Sequence, residues 1–186
     1  MDKIAITGGV AEGKSTVLRY CAELGYRTAS ADAIAAEIFA AHETQMEIAR
    51  AAGLTVPLDR DLVRNAITDD PDLRRRINAI THPKVLAAIE ASEAQVVEVP
   101  LLIETCIYGL FRRVWLVTCG LEEQVRRLAK RLGTEDQARA FIRTQLPTRA
   151  KLAFADRIVR TNAEEAHVMP IVSEAVQLDL DQFGTW

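Results

Sequence analysis

Eight residues near the amino terminus constrain this chain more than any other stretch of it. Gly8-Gly9-Val10-Ala11-Glu12-Gly13-Lys14-Ser15 fits the pattern G-x-x-x-x-G-K-[ST]. An apolar run, Lys3 to Thr7, precedes it and reads as a strand. A segment with Val17, Cys21 and Leu24 at helical spacing follows it. Strand, glycine-rich turn and helix in that order make an anion-binding loop. Glycines let the chain curl closely around a phosphate, so that backbone N–H groups aim inward. The start of the helix adds partial positive charge. In such a loop Lys14 reaches the β- and γ-phosphates and the Ser15 hydroxyl binds Mg²⁺. The expected ATP-binding stretch is therefore Gly9, Val10, Ala11, Glu12, Gly13, Lys14, Ser15 and Thr16. A ligand-free glycine turn is the bland alternative. Glu12 is unusual, because it puts a carboxylate inside an anion-binding loop. Its side chain is expected to point outward, away from the phosphates it would repel.

Two other nucleotide readings of the loop fail. A dinucleotide fold wants G-x-G-x-x-G, and Val10 stands where the second glycine belongs. A guanine-reading N-K-x-D does not begin at Asn65, Asn78 or Asn162. The rest of the chain alternates short apolar runs with helical periodicity, which predicts an α/β fold with a parallel sheet. Strands are expected at 3–7, 26–29, 95–99, 113–118 and 157–159, five in all. Helices are expected from Lys14, from Asp32, and over 121–132, 135–145, 148–155 and 163–178. Between Asp59 and about Glu93 only helical pattern occurs, which predicts a helical insertion in the α/β core.

With 186 residues the chain is long enough for about one domain. Its 23 Lys and Arg against 26 Asp and Glu give a net charge of −3, which offers no nucleic-acid or membrane surface. No apolar run approaches the roughly 18 residues that span a bilayer. The start lacks a secretory apolar core, so a cytoplasmic protein is expected. Cys21, Cys106 and Cys119 have no metal-ligand spacing and are expected to be reduced and buried, with a disulfide as the alternative. The tail from Asp181 to Trp186 carries no motif and reads as a flexible end.

Phosphoryl transfer also needs a group that orients the acceptor, usually a carboxylate. Asp32 follows the second strand, at a carboxyl end where α/β sheets bind ligands. Spacing leaves open whether it serves an acceptor or caps the next helix. Glu98 ends the third strand, where it could hold a water of a Mg²⁺ shell or simply be solvated. His82, before Pro83, reads on its own as a capped helix start between two helices. Arg126, Arg127, Lys130 and Arg131 share one helix and read by default as a solvated face, although Arg131 sits at its end, before Gly133.

Together these residues resemble the dephospho-coenzyme A kinase family. Thr7-Gly8-Gly9-Val10, Gly13-Lys14-Ser15-Thr16, Leu24-Gly25 and Ala31-Asp32 are similar to its opening. Asp59-Arg60, Ile77-Asn78-Ala79-Ile80-Thr81-His82-Pro83 and Val99-Pro100-Leu101-Leu102-Ile103-Glu104 follow in order. Gln145, Pro147, Lys151 and Ala155-Asp156 resemble the family's region after its lid. The matches run from about residue 3 to 162. The phosphate loop is shared by many families, whereas the N-A-I-x-H-P and P-L-L-[IF]-E strings are specific.

The resemblance implies a P-loop kinase core with a parallel five-stranded sheet flanked by helices, a helical substrate-binding insertion and a helical lid. The core would span about 1–58, 94–130 and 156–180, the coenzyme A-binding insertion 59–93 and the lid 131–155. It implies transfer of the ATP γ-phosphate to the ribose 3′-hydroxyl of dephospho-coenzyme A, with Mg²⁺ as cofactor. Asp32 would activate the acceptor, while Lys14 and Ser15 keep their loop roles. His82 and Glu104 would lie near the substrate, and Arg131, Arg143 and Arg149 would belong to the lid. ATP and dephospho-coenzyme A are the expected partners, with no obligate protein partner evident. The chain departs from the pattern at Ala11 and Glu12, where glycine and serine are usual, and at Ser30, Leu132 and Thr161. Its stretch from His42 to Pro57 is shorter than usual. Another small-metabolite kinase, of the nucleoside-monophosphate or shikimate type, and a non-catalytic ATP-binding module are the other readings.

Overall fold

A computed structural model describes residues 1–182, apart from the Glu165 side chain. Of the tail read as a flexible end, residues 183–186, with Trp186, lie outside the described part. The strands are β1 (Ile4–Thr7), β2 (Thr28–Ser30), β3 (Val96–Glu98), β4 (Arg113–Thr118) and β5 (Arg157–Arg160). They form one parallel sheet in the order β2-β3-β1-β4-β5. The helices are α1 (Lys14–Glu23), α2 (Ala31–Ala40), α3 (His42–Ala52), α4 (Arg60–Thr68), α5 (Pro71–Ala91), α6 (Leu121–Leu132), α7 (Glu135–Ile142), α8 (Thr148–Lys151) and α9 (Glu165–Asp181).

The chain divides into two compact units, Ala31–Ser92 and the remainder. The remainder holds the sheet. Its central strands are apolar on both faces, as covered parallel strands must be: Ile4, Ala5, Ile6, Val96, Val97 and Trp115 to Val117 are all fully buried. One layer of the core is Val17, Tyr20 and Cys21 of α1 with Val168, Val172, Ala175 and Val176 of α9 against Ile4, Ile6 and Val117. Each fully buried aliphatic side chain there contributes about 1.5–3 kcal/mol. A polar latch fixes α9 on the sheet. Asp179 accepts from Trp115 Nε1 at 2.6 Å and from Arg157 at 2.9 and 3.1 Å. Burial pushes the Asp179 carboxyl up, but the bonds from Arg157 and Trp115 outweigh it and hold the group below its ordinary value.

The unit Ala31–Ser92 is all helix. Its core joins Ile48 and Ala49 of α3 and Val63 of α4 to Leu73 and Ile77 of α5, with Phe39 of α2 packed beside them. Asp59 and Asp70 cap α4 and α5 through their side chains.

Several expectations change. The helical unit starts at Ala31, not at 59, because α2 and α3 share its apolar core. Helix α3 fills the stretch at 42–52 that carried no expected element, and it ends on Gly53 at φ +67°. His82-Pro83 lies within α5 rather than between two helices. A proline there removes one helical bond, and the buried Leu73, Ile77 and Ile89 hold the turns on either side. Strand β2 starts two residues late, since Tyr26 N–H is engaged with Cys21 O at 3.0 Å in ending α1. Helix α7 stops at Ile142, and α8 is four residues long before a 3₁₀ turn at Leu152–Phe154. The three cysteines are free, but Cys106 is exposed rather than buried. Burial pushes the Cys21 thiol up to about 12 and the Cys119 thiol to about 11, so neither is a reactive thiolate. No described helix is long and apolar enough to cross a membrane.

Candidate active site

At the carboxyl ends of β1, β4 and β5 stand the glycine loop, Thr118 and Thr161. Strand β1 runs directly into the loop at 8–13, and α1 starts at Lys14. The glycines at the two ends of the loop are required by crowding as well as by backbone angle. A Cβ on Gly8 would stand 2.3 Å from Val117 O, and one on Gly13, at φ +93°, would stand 2.8 Å from Thr161 Oγ1. Ala11 holds φ +59° without being glycine. That left-handed conformation costs roughly 1–2 kcal/mol for a residue with a Cβ.

Side chains from elsewhere in the same unit clamp the loop. Gln124 of α6 donates to Val10 O at 2.9 Å, and Val10 N–H donates to Gln145 Oε1 at 3.1 Å. Thr161, just past β5, donates to Glu12 O at 2.6 Å. Val10 and Ala11 pack against Val125 and Leu128 of α6 and Ala138 of α7. Lys14 is buried and donates to Gly9 O at 2.8 Å. Ser15 is exposed in the first turn of α1, and its hydroxyl makes no hydrogen bond among the described residues.

Glu12 does not point outward. It is 1 % exposed, and its carboxylate accepts from Gly9 N–H, from Thr118 Oγ1 at 2.9 Å and from Thr148 Oγ1 at 3.0 Å. A carboxylate tolerates burial when its lone pairs are met by donors, and here three neutral donors meet them. Only a carboxylate without such partners would be driven outward by the phosphates.

A cleft of about 350 Å³ lies beside the loop, with Gly9, Glu12, Thr118, Thr148 and Arg149 in its wall. Of the three arginines expected in a lid, Arg149 lines this cleft. Arg131 and Arg143 are exposed and outside its lining. On α6, Arg126 and Arg127 clamp Glu123 at 2.6 and 2.7 Å and hold its carboxyl down to about 2. Arg127 also donates to Thr161 O at 2.6 Å, so it buttresses the loop's neighbour rather than forming only a solvated face.

Glu98 ends β3 in register with Ile6 and Ser30. Asp32 is exposed in the first turn of α2, two residues past β2. The helix starts at Ala31, so Asp32 is inside it rather than at the capping position. Glu104 lies 2.7 Å from the wholly buried Lys151 ammonium. His82 is exposed on α5, in the helical unit. Thr118, Gln124, Thr148 and Thr161 were not singled out from sequence as loop contacts. Nothing local marks them: Thr148 meets Glu12 across 136 residues of chain.

A parallel sheet with its first strand feeding a glycine loop, and a buried lysine opening the next helix, defines a P-loop nucleotide-binding protein. The chain belongs to the dephospho-CoA kinase family, whose sequence profile matches residues 3–167. A dephospho-CoA kinase of Gloeobacter violaceus is 35% identical over 185 residues, covering 93% of this chain and 90% of that protein. Among solved structures, the protein TT1252 from Thermus thermophilus superposes with a TM-score of 0.80 at 29% identity, over 95% of this chain and 96% of the other. The dephospho-CoA kinase from Campylobacter jejuni has the same fold, with a TM-score of 0.71 at 22% identity over 97% and 98%.

Proposed function

We propose that this chain transfers the ATP γ-phosphoryl group to the ribose 3′-hydroxyl of dephospho-coenzyme A, the last step of coenzyme A synthesis, with Lys14 on the phosphates and Asp32 on the acceptor. The observation that carries the reading is the loop itself, with Lys14 held at its base and the Ser15 hydroxyl unengaged beside it. Backbone N–H groups and the start of α1 favour the triphosphate, and the Lys14 ammonium offsets charge on the transferring group. Asp32 orients the hydroxyl and takes its proton late, as suits a loose transition state. Its exposure leaves the carboxylate available to a substrate.

The residues fit Mg²⁺. Among the described residues no group of three or more His, Cys, Asp or Glu side chains could hold a metal. A cation that keeps water and takes phosphate oxygens needs little more than the Ser15 hydroxyl. When bound, Mg²⁺ neutralises charge on the β- and γ-phosphates. Glu98 would hold one water of its shell. The lid is assigned to about 131–155, with Arg131, Arg143 and Arg149 supplied to the phosphates. His82 and Glu104 are assigned to the coenzyme A side, and the helical unit to that substrate's binding. A cytoplasmic location suits both substrates.

An ADP-release assay tests this reading. Dephospho-coenzyme A, AMP, shikimate and no acceptor are compared, each with and without a chelator. ADP release with dephospho-coenzyme A alone, abolished by chelation, is expected. Equal release with another acceptor, or without one, would overturn the proposal.

A further inference from the structure

Glu12 is the least expected residue of the loop, and its surroundings give it a task. Its carboxylate joins three separate segments: the loop through Gly9 N–H, the end of β4 through Thr118, and the first residue of α8 through Thr148. Helix α8 is only four residues long, too short to hold its place by its own bonds. It is pinned at both ends instead. Thr148 is tied to Glu12, and Lys151 lies 2.7 Å from Glu104, in the turn after β3. Arg149 sits between these two pins and lines the cleft beside the loop. A serine in place of Glu12 has too short a side chain to hold three partners at once.

We propose that Glu12 is a positioning residue that, through Thr148, sets α8 and Arg149 against the phosphate loop before ATP arrives. The loop thus meets its ligand with the return segment of the lid already docked. Preorganisation of this kind removes an ordering cost from binding, so it raises affinity rather than the rate of the saturated enzyme. The buried charge makes the tie strong, because a hydrogen bond to an ionised acceptor exceeds a neutral one.

The proposal rests on the loop binding ATP, and steady-state kinetics of the full chain separates the two claims. Thr148→Val removes one hydroxyl at nearly constant volume from a half-buried position. It is expected to raise KM for ATP about tenfold, as loss of a charge-assisted bond would, with the effect on KM rather than kcat. Glu12→Ala should do at least as much. Adding Thr148→Val to Glu12→Ala should then cost little more, because both remove the same link. Glu12→Gln can still accept from Gly9 N–H and donate to a hydroxyl but loses the charge, so its KM for ATP should fall between those of wild type and Glu12→Ala. An unchanged KM for ATP in Thr148→Val would overturn the proposal, as would additive effects in the double variant. Should Glu12→Ala fail to fold, Thr148→Val and Glu12→Gln still decide the matter. A wild-type enzyme that showed no ATP saturation would instead remove the functional reading beneath it.

Discussion

Two carboxylates follow strands closely in sequence, Glu12 after β1 and Asp32 after β2, and have opposite surroundings. Glu12, in the loop after β1, is 1 % exposed and engaged by three donors. Asp32, in the first turn of α2, is exposed. A carboxylate whose lone pairs are filled from within has little left for a substrate, and its work is to hold segments together. One that faces solvent pays no such dues to the fold and can accept a proton from an incoming hydroxyl. Residue type alone does not distinguish the two roles; the donors around the group do.

The comparison sharpens when the loop is taken apart by strength of effect. Lys14→Ala should cost the most. In the proposed role its ammonium serves the transferring phosphate, and removing one such electrostatic contact lowers turnover by about 10²–10³-fold or more. Circular dichroism should still report a folded chain, and near wild-type turnover would remove Lys14 from the chemistry. A much smaller effect is expected from Ala11→Gly. It relieves the strain of φ +59° while making the unfolded chain more flexible, and the balance favours the folded state by about 1 kcal/mol or less. Thermal melting checks this, and a lower Tm would show that the loop's clamps already absorb the strain.

Much of this was legible beforehand, for reasons that differ by region. The loop could be recognised because its glycines, lysine and serine keep a fixed local spacing, although Val117 and Thr161, which crowd Gly8 and Gly13, lie far off in sequence. Strand β4 and helix α6 matched their expected bounds, because an apolar run and a sustained helical stripe leave little choice. The helical unit was legible only as periodicity. Its start at Ala31 depends on Phe39 and Ile48 meeting Leu73 and Ile77, and long-range packing leaves no local signal. The same holds for the Glu12 network. Sequence showed a misplaced charge, and only Thr118 and Thr148 explain why it is tolerated.

Asp32→Asn tests whether Asp32 works on the acceptor. The substitution keeps shape and removes the charge. At the start of α2 that charge is worth about 0.3–1 kcal/mol through the helix dipole, so Tm should fall by no more than a few degrees. Turnover with dephospho-coenzyme A should fall about 10²-fold or more, because general-base help of this kind is worth about 10²–10⁴ in rate, while ATP still binds. Turnover preserved within a few fold, with the same ATP binding, would contradict the account and leave Asp32 as a helix-stabilising charge.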